Sequence, residues 1–401
     1  MKIEKIRIAN YKVYKNAEIK DLSNFSVFLG ANGTGKTTLF DVFGFLSDAL
    51  KSNIKIALNK RGGFKEVYSR NGEGPIMFEI KFRNEEQDKS NSIAPLITYR
   101  LEIENIEGRP VIASEVLSYR RAQRGRPYRF LDFHNGAGTA IVNESNYSDN
   151  ASNFNEEREQ QALESPDILA IKGLGQFQKF QAISTFRKLL ESWYVSNFQI
   201  QEARAIEDVG FSEHLSTSGN NLAQVTKYIW ENYPDIFQKI LDKFKKRVPG
   251  VENVIAEETQ DGRIVLKFKD GSFKDPFIAK FVSDGTIKMF AYLVLLNDPH
   301  KHPLLCVEEP ENYLHPALLP ELAEEFREYA AEGGQVFIST HSPDFVNALK
   351  PNELFWLQKD NGETTILKAS DTAEIKLLYE SGDKLGWLWR EGYLMGSLPN
   401  E

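Results

Sequence analysis

The chain has 401 residues, 41% hydrophobic and 12% aromatic, enough for a sizeable core in one large domain or two to three small ones. Its net charge of −8 excludes wholesale attraction to polyanions, so any nucleic-acid contact must come from a local basic patch. A single cysteine, Cys306, excludes an intramolecular disulfide framework and a cysteine-rich zinc site; it suits a reducing cytoplasm and reads as a core thiol.

The start, MKIEKIRIANYKVYKN, lacks the apolar stretch of a signal peptide, and no apolar run approaches the ~20 residues of a membrane span. A soluble, cytoplasmic protein with no membrane partner is expected. Residues 2–8 alternate charged and apolar side chains, which predicts an early strand. FSVFLG, Phe25 to Gly30, predicts a second strand, and a helix follows from about Lys36 to Leu50. IMFEIKF, LITYRLEIE and VIASEVLSYRR predict three more strands, joined as antiparallel hairpins. From 136 to 167 the chain turns polar and reads as an exposed insertion.

Residues 168–250 read as a helical lobe. PDIFQKILDKFKKRV, for example, places Ile236, Phe237, Ile240, Leu241, Phe244 and Val248 at helical spacing. RIVLKFKDGSF resumes strands. The final third alternates a helix from Asp284, a strand at 304–307, a helix from Pro316, the strand QVFIST and a helix near Phe345. That order predicts an α/β fold with a parallel sheet. The expected organisation is a single head: an N-terminal lobe with antiparallel hairpins (1–135), the insertion (136–167), the helical lobe (168–250) and a segment 251–401. No internal repeat and no sustained heptad run is visible.

GANGTGKT, Gly30 to Thr37, fits G-x-x-x-x-G-K-[ST] between an apolar strand and a helix, the context of a phosphate-binding loop. Glycines at 30, 33 and 35 let backbone N–H groups close around phosphates. Asn32, Gly33, Thr34, Gly35, Lys36, Thr37 and Thr38 form the expected nucleotide cradle. Lys36 is suited to the β and γ phosphates and the Thr37 hydroxyl to Mg²⁺. In LLCVEEPENYLHP an apolar run ends in Glu308 and Glu309. Acids against a buried strand are costly without a positive partner, and a metal–nucleotide complex is such a partner. Glu308 is therefore read as a metal ligand and Glu309 as the group that polarises water. FVSDGTIKMFAYL places Ser283, Asp284 and Gly285 before an apolar helix, with Ser283 as its N-cap. VFISTHSPDF ends a strand at His341. Taken singly, SDGT is a helix cap and a histidine after a strand is structural; their order along the chain is what points to chemistry.

This order resembles ATP-binding-cassette ATPases of the RecF/SMC/OLD type, and more closely the stand-alone bacterial "predicted ATPase" group related to RecF. The resemblance extends to the ending GWLWREGYLMG. It implies a P-loop NTPase fold, an ABC-ATPase head with an antiparallel β subdomain and a helical lobe. It also implies ATP as substrate, Mg²⁺ as cofactor, and hydrolysis by Lys36, Glu309 and His341, the switch histidine. VSDGT then stands at the signature motif, which acts on the nucleotide of a second copy in a head-to-tail homodimer or higher homo-oligomer. NYLHP stands where two subunits meet. The family usually has Asp where this chain has Glu308. Its glutamine loop falls on Gln176, a metal ligand, with Gln178 and Gln181 equally available. Tyr14 is open to adenine stacking or to a strand role.

Between Thr37 and Ser283 there are no heptads and no Cys-x-x-Cys, unlike coiled-coil members, and nothing after His341 resembles a TOPRIM nuclease. SYRRAQRGRPYRF interleaves Arg120, Arg121, Arg124, Arg126 and Arg129 with Tyr119 and Tyr128, a pattern suited to DNA or to a solvated hairpin. KFKKR, Lys243 to Arg247, is a second basic run. Two functional classes stand: an ATPase acting on or near DNA in repair or antiphage defence, with a separately encoded effector, and an ATP-gated assembly scaffold for a protein partner. A transporter subunit is a third, less favoured class.

Overall fold

A computed structural model describes residues 2–83, 96–120, 128–143 and 157–394. The chain divides into two compact units. One comprises Met1–Trp193, Lys350–Asp383 and Leu388–Glu401; the other comprises Tyr194–Leu349 and Lys384–Trp387. These boundaries differ from those read at 135, 167 and 250.

The first unit is built on an eight-stranded sheet in the order Tyr14–Ile19, Lys2–Tyr11, Ile76–Arg83, Leu96–Ile106, Arg109–Arg120, Tyr128–His134, Ala137–Ile141, Arg158–Ala162. Every neighbouring pair is antiparallel. One row crosses six strands through Ile6, Ile80, Tyr99, Leu117, Leu131 and Ala140. All six are buried. A one-residue slip would turn a strand's apolar set to the other face, so this row fixes the register.

The predicted insertion at 136–167 needs correcting at both ends, because Ala137–Ile141 and Arg158–Ala162 are the last two strands of the sheet. The outermost, REQQA, has no apolar face of its own and no residue fully buried, as suits an edge strand. Its polarity hid it.

Glu115 lies almost wholly inside this unit, 1% exposed. Its carboxylate accepts from the N–H groups of Ala170 (2.5 Å) and Ile171 (3.1 Å) and from the Tyr99 hydroxyl (3.1 Å). Burial pushes its pKa up to about 7 against these donors, which favour the ion.

Strand Phe25–Leu29, buried at every residue, leads to helix Lys36–Lys51, whose Leu39, Phe40, Val42, Phe43, Phe45, Leu46 and Ala49 are all buried. The strand runs parallel to Leu354–Asp360 through Val27–Leu354, Phe28–Phe355 and Leu29–Trp356. Leu354–Asp360 in turn pairs antiparallel with Glu363–Lys368. Neither of these last two strands is among the predicted elements.

In the second unit, Tyr194–Val195, Leu304–Glu308 and Gln335–Thr340 pair in parallel, with Glu308 opposite Ser339. Helix Asp284–Leu296 is buried from Ile287 to Leu296 on every face, the mark of a core helix. Phe290 packs against Phe244 (5.2 Å between ring centroids) of helix Pro234–Arg247 and against Phe268 (5.5 Å) of strand Arg263–Asp270. The basic run at 243–247 is partly committed internally, because Lys243 and Arg247 pair with the buried Glu325. Among the described residues, no helix is long and apolar enough to cross a membrane.

Candidate functional site

The phosphate loop in the first unit is shaped by its glycines. Gly33 (φ 81°) and Gly35 (φ 105°) have backbone angles that side chains disfavour. A Cβ on Gly35 would also lie 2.7 Å from Val13 Cγ2 and 3.2 Å from the Tyr14 hydroxyl. Thr34 is buried and ties the loop twice: its hydroxyl donates to the Ala31 carbonyl (2.8 Å), and its own carbonyl accepts from the Thr364 hydroxyl (2.8 Å). Lys359 Nζ reaches the Gly33 carbonyl (3.2 Å). The late strand pair thus braces the loop.

Lys36 is buried, and its ammonium donates to the carbonyls of Gly30 (2.6 Å) and Ala31 (3.1 Å). Helix Lys36–Lys51 begins at Gly35 with no side-chain cap, which leaves its positive end to the loop. Asn32, Gly33 and Thr37 are exposed and Thr38 is half-buried on the same turn.

Tyr14 is fully buried and its hydroxyl donates to the Gly35 carbonyl at 2.8 Å. Burial pushes its pKa upward. Adenine stacking is therefore set aside: Tyr14 braces the loop from beneath. Gln176 is exposed beyond helix Ala170–Leu174, with its amide donating to the Lys172 carbonyl (3.4 Å). Gln178 and Gln181 are exposed as well.

In the second unit the acids gather at the end of strand Leu304–Glu308. Glu309 follows in a left-handed conformation (φ 43°), uncommon for a residue with a side chain and typical of turns at functional sites. Its N–H donates to the Ser339 carbonyl at 2.9 Å. Its carboxylate lies between Asn312 Nδ2 (3.0 Å to Oε2) and His341 Nδ1 (3.2 Å to Oε1). Glu309 and His341 are thus brought together.

Two further residues belong to this cluster and were missed. Glu311 is buried and accepts from the Thr340 hydroxyl (2.7 Å) and the His341 N–H (2.9 Å), so it holds the turn that presents His341. Lys288 is buried in helix Asp284–Leu296 and donates to the Glu309 carbonyl at 3.2 Å. Desolvation lowers its pKa to about 8, opposed by the charges of Glu311 and Glu309. A lone lysine in the run IKMFAYLVLL was the available signal.

Ser283 caps the Asp284–Leu296 helix, accepting from the Thr286 N–H at 3.2 Å. Asp284 pairs with Arg204 (2.6 Å), which also donates to the Val282 carbonyl. Gly285 leaves room for the neighbouring turn, since a Cβ there would stand 2.6 Å from the Tyr313 carbonyl oxygen. The SDGT turn and the NYLHP loop are therefore in contact within one unit. Of the arginine-rich run, residues 121, 124 and 126 and the Arg120 side chain lie outside the described residues. Arg129 pairs with Asp132 (2.7 Å), and Tyr119 stacks on Phe130 (4.8 Å between centroids).

Residues 25–347 match the family described as "AAA domain, putative AbiEii toxin, Type IV TA system". A 202-residue stretch is 23% identical to the Old nuclease of Escherichia phage P2, covering 42% of this chain and 33% of that protein. The chain thus matches about a third of the length of this curated relative. Among solved structures, the SMC head bound to the C-winged helix domain of ScpA aligns with a TM-score of 0.57 at 16% identity, over 92% of this chain and 97% of that one. The SMC head with an extended coiled coil bound to the C-terminal domain of ScpA, derived from Pyrococcus furiosus, aligns with a TM-score of 0.51 at 15% identity, over 95% and 99%. At such identities the structural likeness concerns the fold alone. With the family match spanning most of its length, the chain belongs to this AAA-domain family, and its fold is that of an ABC-type ATPase head.

Proposed function

We propose that this chain binds Mg-ATP, hydrolyses it by in-line attack of water on the γ-phosphate, and closes head-to-tail with a second copy while ATP is bound. The observation that carries the reading is the Glu309 carboxylate, held between Asn312 and His341 in a chain whose phosphate-loop helix opens without a cap. Lys36 and the loop N–H groups, from Asn32 to Thr38, hold the phosphates and offset charge developing on the γ oxygens. Thr37 and Glu308 offer oxygen donors, the chemistry a hard cation prefers, and the family's glutamine, assigned to Gln176, adds a third. Mg²⁺, when bound, neutralises phosphate charge. Glu309 accepts the proton of the attacking water, and His341 orients it. Ser283, Asp284 and Gly285 serve the partner copy's nucleotide.

The reading extends to action on or near DNA, in repair or antiphage defence, with a separately encoded effector. The arginine-rich run and the Old nuclease match support that extension. The expected result on this extension is salt-sensitive retention of duplex DNA in the presence of ATP. Absence of retention at low salt, together with co-purification of a neighbouring gene product, favours an ATP-gated scaffold instead.

Lys36→Ala tests the core of the proposal. It removes the buried cation of the loop, so calorimetry should show tight ATP binding lost in a folded variant. Ordinary ATP affinity in that variant refutes the assignment.

A further inference from the structure

Away from the acids after the Leu304–Glu308 strand, three donors converge in the second unit. His214 Nδ1 lies 2.8 Å from Asp298 Oδ2. One ligand atom from each of His214, Asp298 and His302 falls within 4.8 Å of the other two. Three of the chain's six histidines crowd here, with the His214 ring 5.1 Å from His302 and 6.2 Å from His300.

Two of the three donor groups are held by something else. Asp298 is 4% exposed, and its Oδ1 accepts the His300 N–H at 2.8 Å, which turns Oδ2 toward His214. The His302 ring packs against Tyr194 (5.0 Å between centroids), and its backbone carbonyl accepts from the Tyr329 hydroxyl (3.1 Å). The His214 carbonyl accepts from Asn221 Nδ2 at 3.0 Å. The bond to Asp298 Oδ1 is an outer partner of the kind that orients metal ligands, and ring packing restrains His302.

We propose that His214, Asp298 and His302 bind a zinc-class divalent transition-metal ion, at a site distinct from any ion on the ATP phosphates. Two imidazoles and a carboxylate are a donor set for Zn²⁺ and its neighbours, whereas Mg²⁺ and Ca²⁺ prefer oxygen alone. Tetrahedral coordination with bonds of ~2.0–2.1 Å spaces donors by about 3.3 Å. The 2.8 Å contact therefore opens slightly and the wider side of the triangle contracts. The His214 side chain is 41% exposed, so the fourth position faces solvent and takes water. A simple His214–Asp298 ion pair accounts for the short contact; it gives no reason for His302 to converge on the same point. Asp298 and His302 sit in the connector between helix Asp284–Leu296 and strand Leu304–Glu308. The ion would thus pin the link between the SDGT helix and the strand that ends at Glu308.

The test uses the full chain, stripped with a chelator and titrated with ZnCl₂ by calorimetry. Co²⁺ substitution supplies a visible absorption signature of tetrahedral ligation. The expected result is one Zn²⁺ per chain, with affinity falling at least ~100-fold in His214→Ala and in His302→Ala. Lys36→Ala should bind Zn²⁺ like the wild type, which separates this site from the nucleotide reading. His214→Ala removes a side chain that is 41% exposed and keeps the test valid if His302→Ala does not fold. A wild type that takes up no Zn²⁺, or a His214→Ala variant that binds it equally well, overturns the proposal.

Discussion

Glu309→Gln is the perturbation that separates chemistry from architecture. Gln keeps the length of the side chain, and its amide can be satisfied in place. Its oxygen can accept from Asn312 Nδ2, now at 3.0 Å, while its NH₂ donates toward His341 Nδ1, now at 3.2 Å. That arrangement requires an unprotonated Nδ1, which neutral histidine can supply. Two hydrogen bonds survive, the N–H bond to the Ser339 carbonyl is untouched, and folding should change by about 1 kcal/mol or less. What disappears is the proton acceptor. Turnover should fall by roughly 10²–10⁴-fold, the usual worth of a general base, or about 3–5 kcal/mol of barrier. ATP should still bind, so the variant should accumulate as an ATP-dependent dimer or larger assembly. On the proposed reading Glu308→Gln should instead weaken Mg²⁺ binding and lower Mg²⁺-dependent turnover without trapping that assembly. The assays are phosphate release at saturating Mg-ATP and mass by light scattering with and without nucleotide. Wild-type turnover in Glu309→Gln, or trapping by Glu308→Gln alone, refutes the assignment.

On the proposed reading the SDGT motif serves the partner's nucleotide, so Ser283→Arg should leave ATP binding nearly normal yet block hydrolysis and dimer closure; full wild-type turnover in this variant rules that role out. Gly35→Ala forces a side chain onto φ 105° with Val13 Cγ2 2.7 Å away. It should cost on the order of 1–3 kcal/mol in stability and weaken ATP binding, read by denaturant unfolding and calorimetry. Glu115 titrates at about 7 in the fold against an ordinary 4.5, so its contribution to stability is present in full below pH 4.5 and is lost as pH rises through about 7. The loss amounts to about 3 kcal/mol. Glu115→Gln should remove that slope, and unfolding curves with the same pH dependence as the wild type contradict it.

The phosphate loop was legible because it is a local device. Its glycines, its lysine and the strand and helix flanking it lie within one short stretch, and each has a backbone or charge reason to be there. The antiparallel hairpins were legible for the same reason, since alternation is a property of neighbours. The strands at Ala137–Ile141 and Arg158–Ala162 were not. Both are short; one is small-residued, and the other pairs at an edge with four polar residues of its five. Their pairing follows from where the rest of the sheet ends, which a one-dimensional pattern does not carry.

Buried charges were the harder case. Glu115 and Lys288 sit at positions whose pattern points inward while their charge argues outward, and Glu311 lies in a turn with no periodicity to read. Glu115 alternates in step with the buried Leu117, and Lys288 stands inside a helix buried on every face. The conflict is resolved only by partners remote in sequence: Ala170, Ile171 and Tyr99 for Glu115, Thr340 and His341 for Glu311, Glu309 for Lys288. Glu308 and Glu309 escaped this difficulty because a run of apolar residues ending in two acids is anomalous on its own, and the anomaly asks for a ligand. A lone lysine in an apolar helix is the same anomaly. Read by that rule, Lys288 would have joined the site from sequence, because its ammonium reaches from the helix opened by Ser283 to the carbonyl of Glu309. It links the helix opened by the SDGT turn to the acid cluster within a single unit.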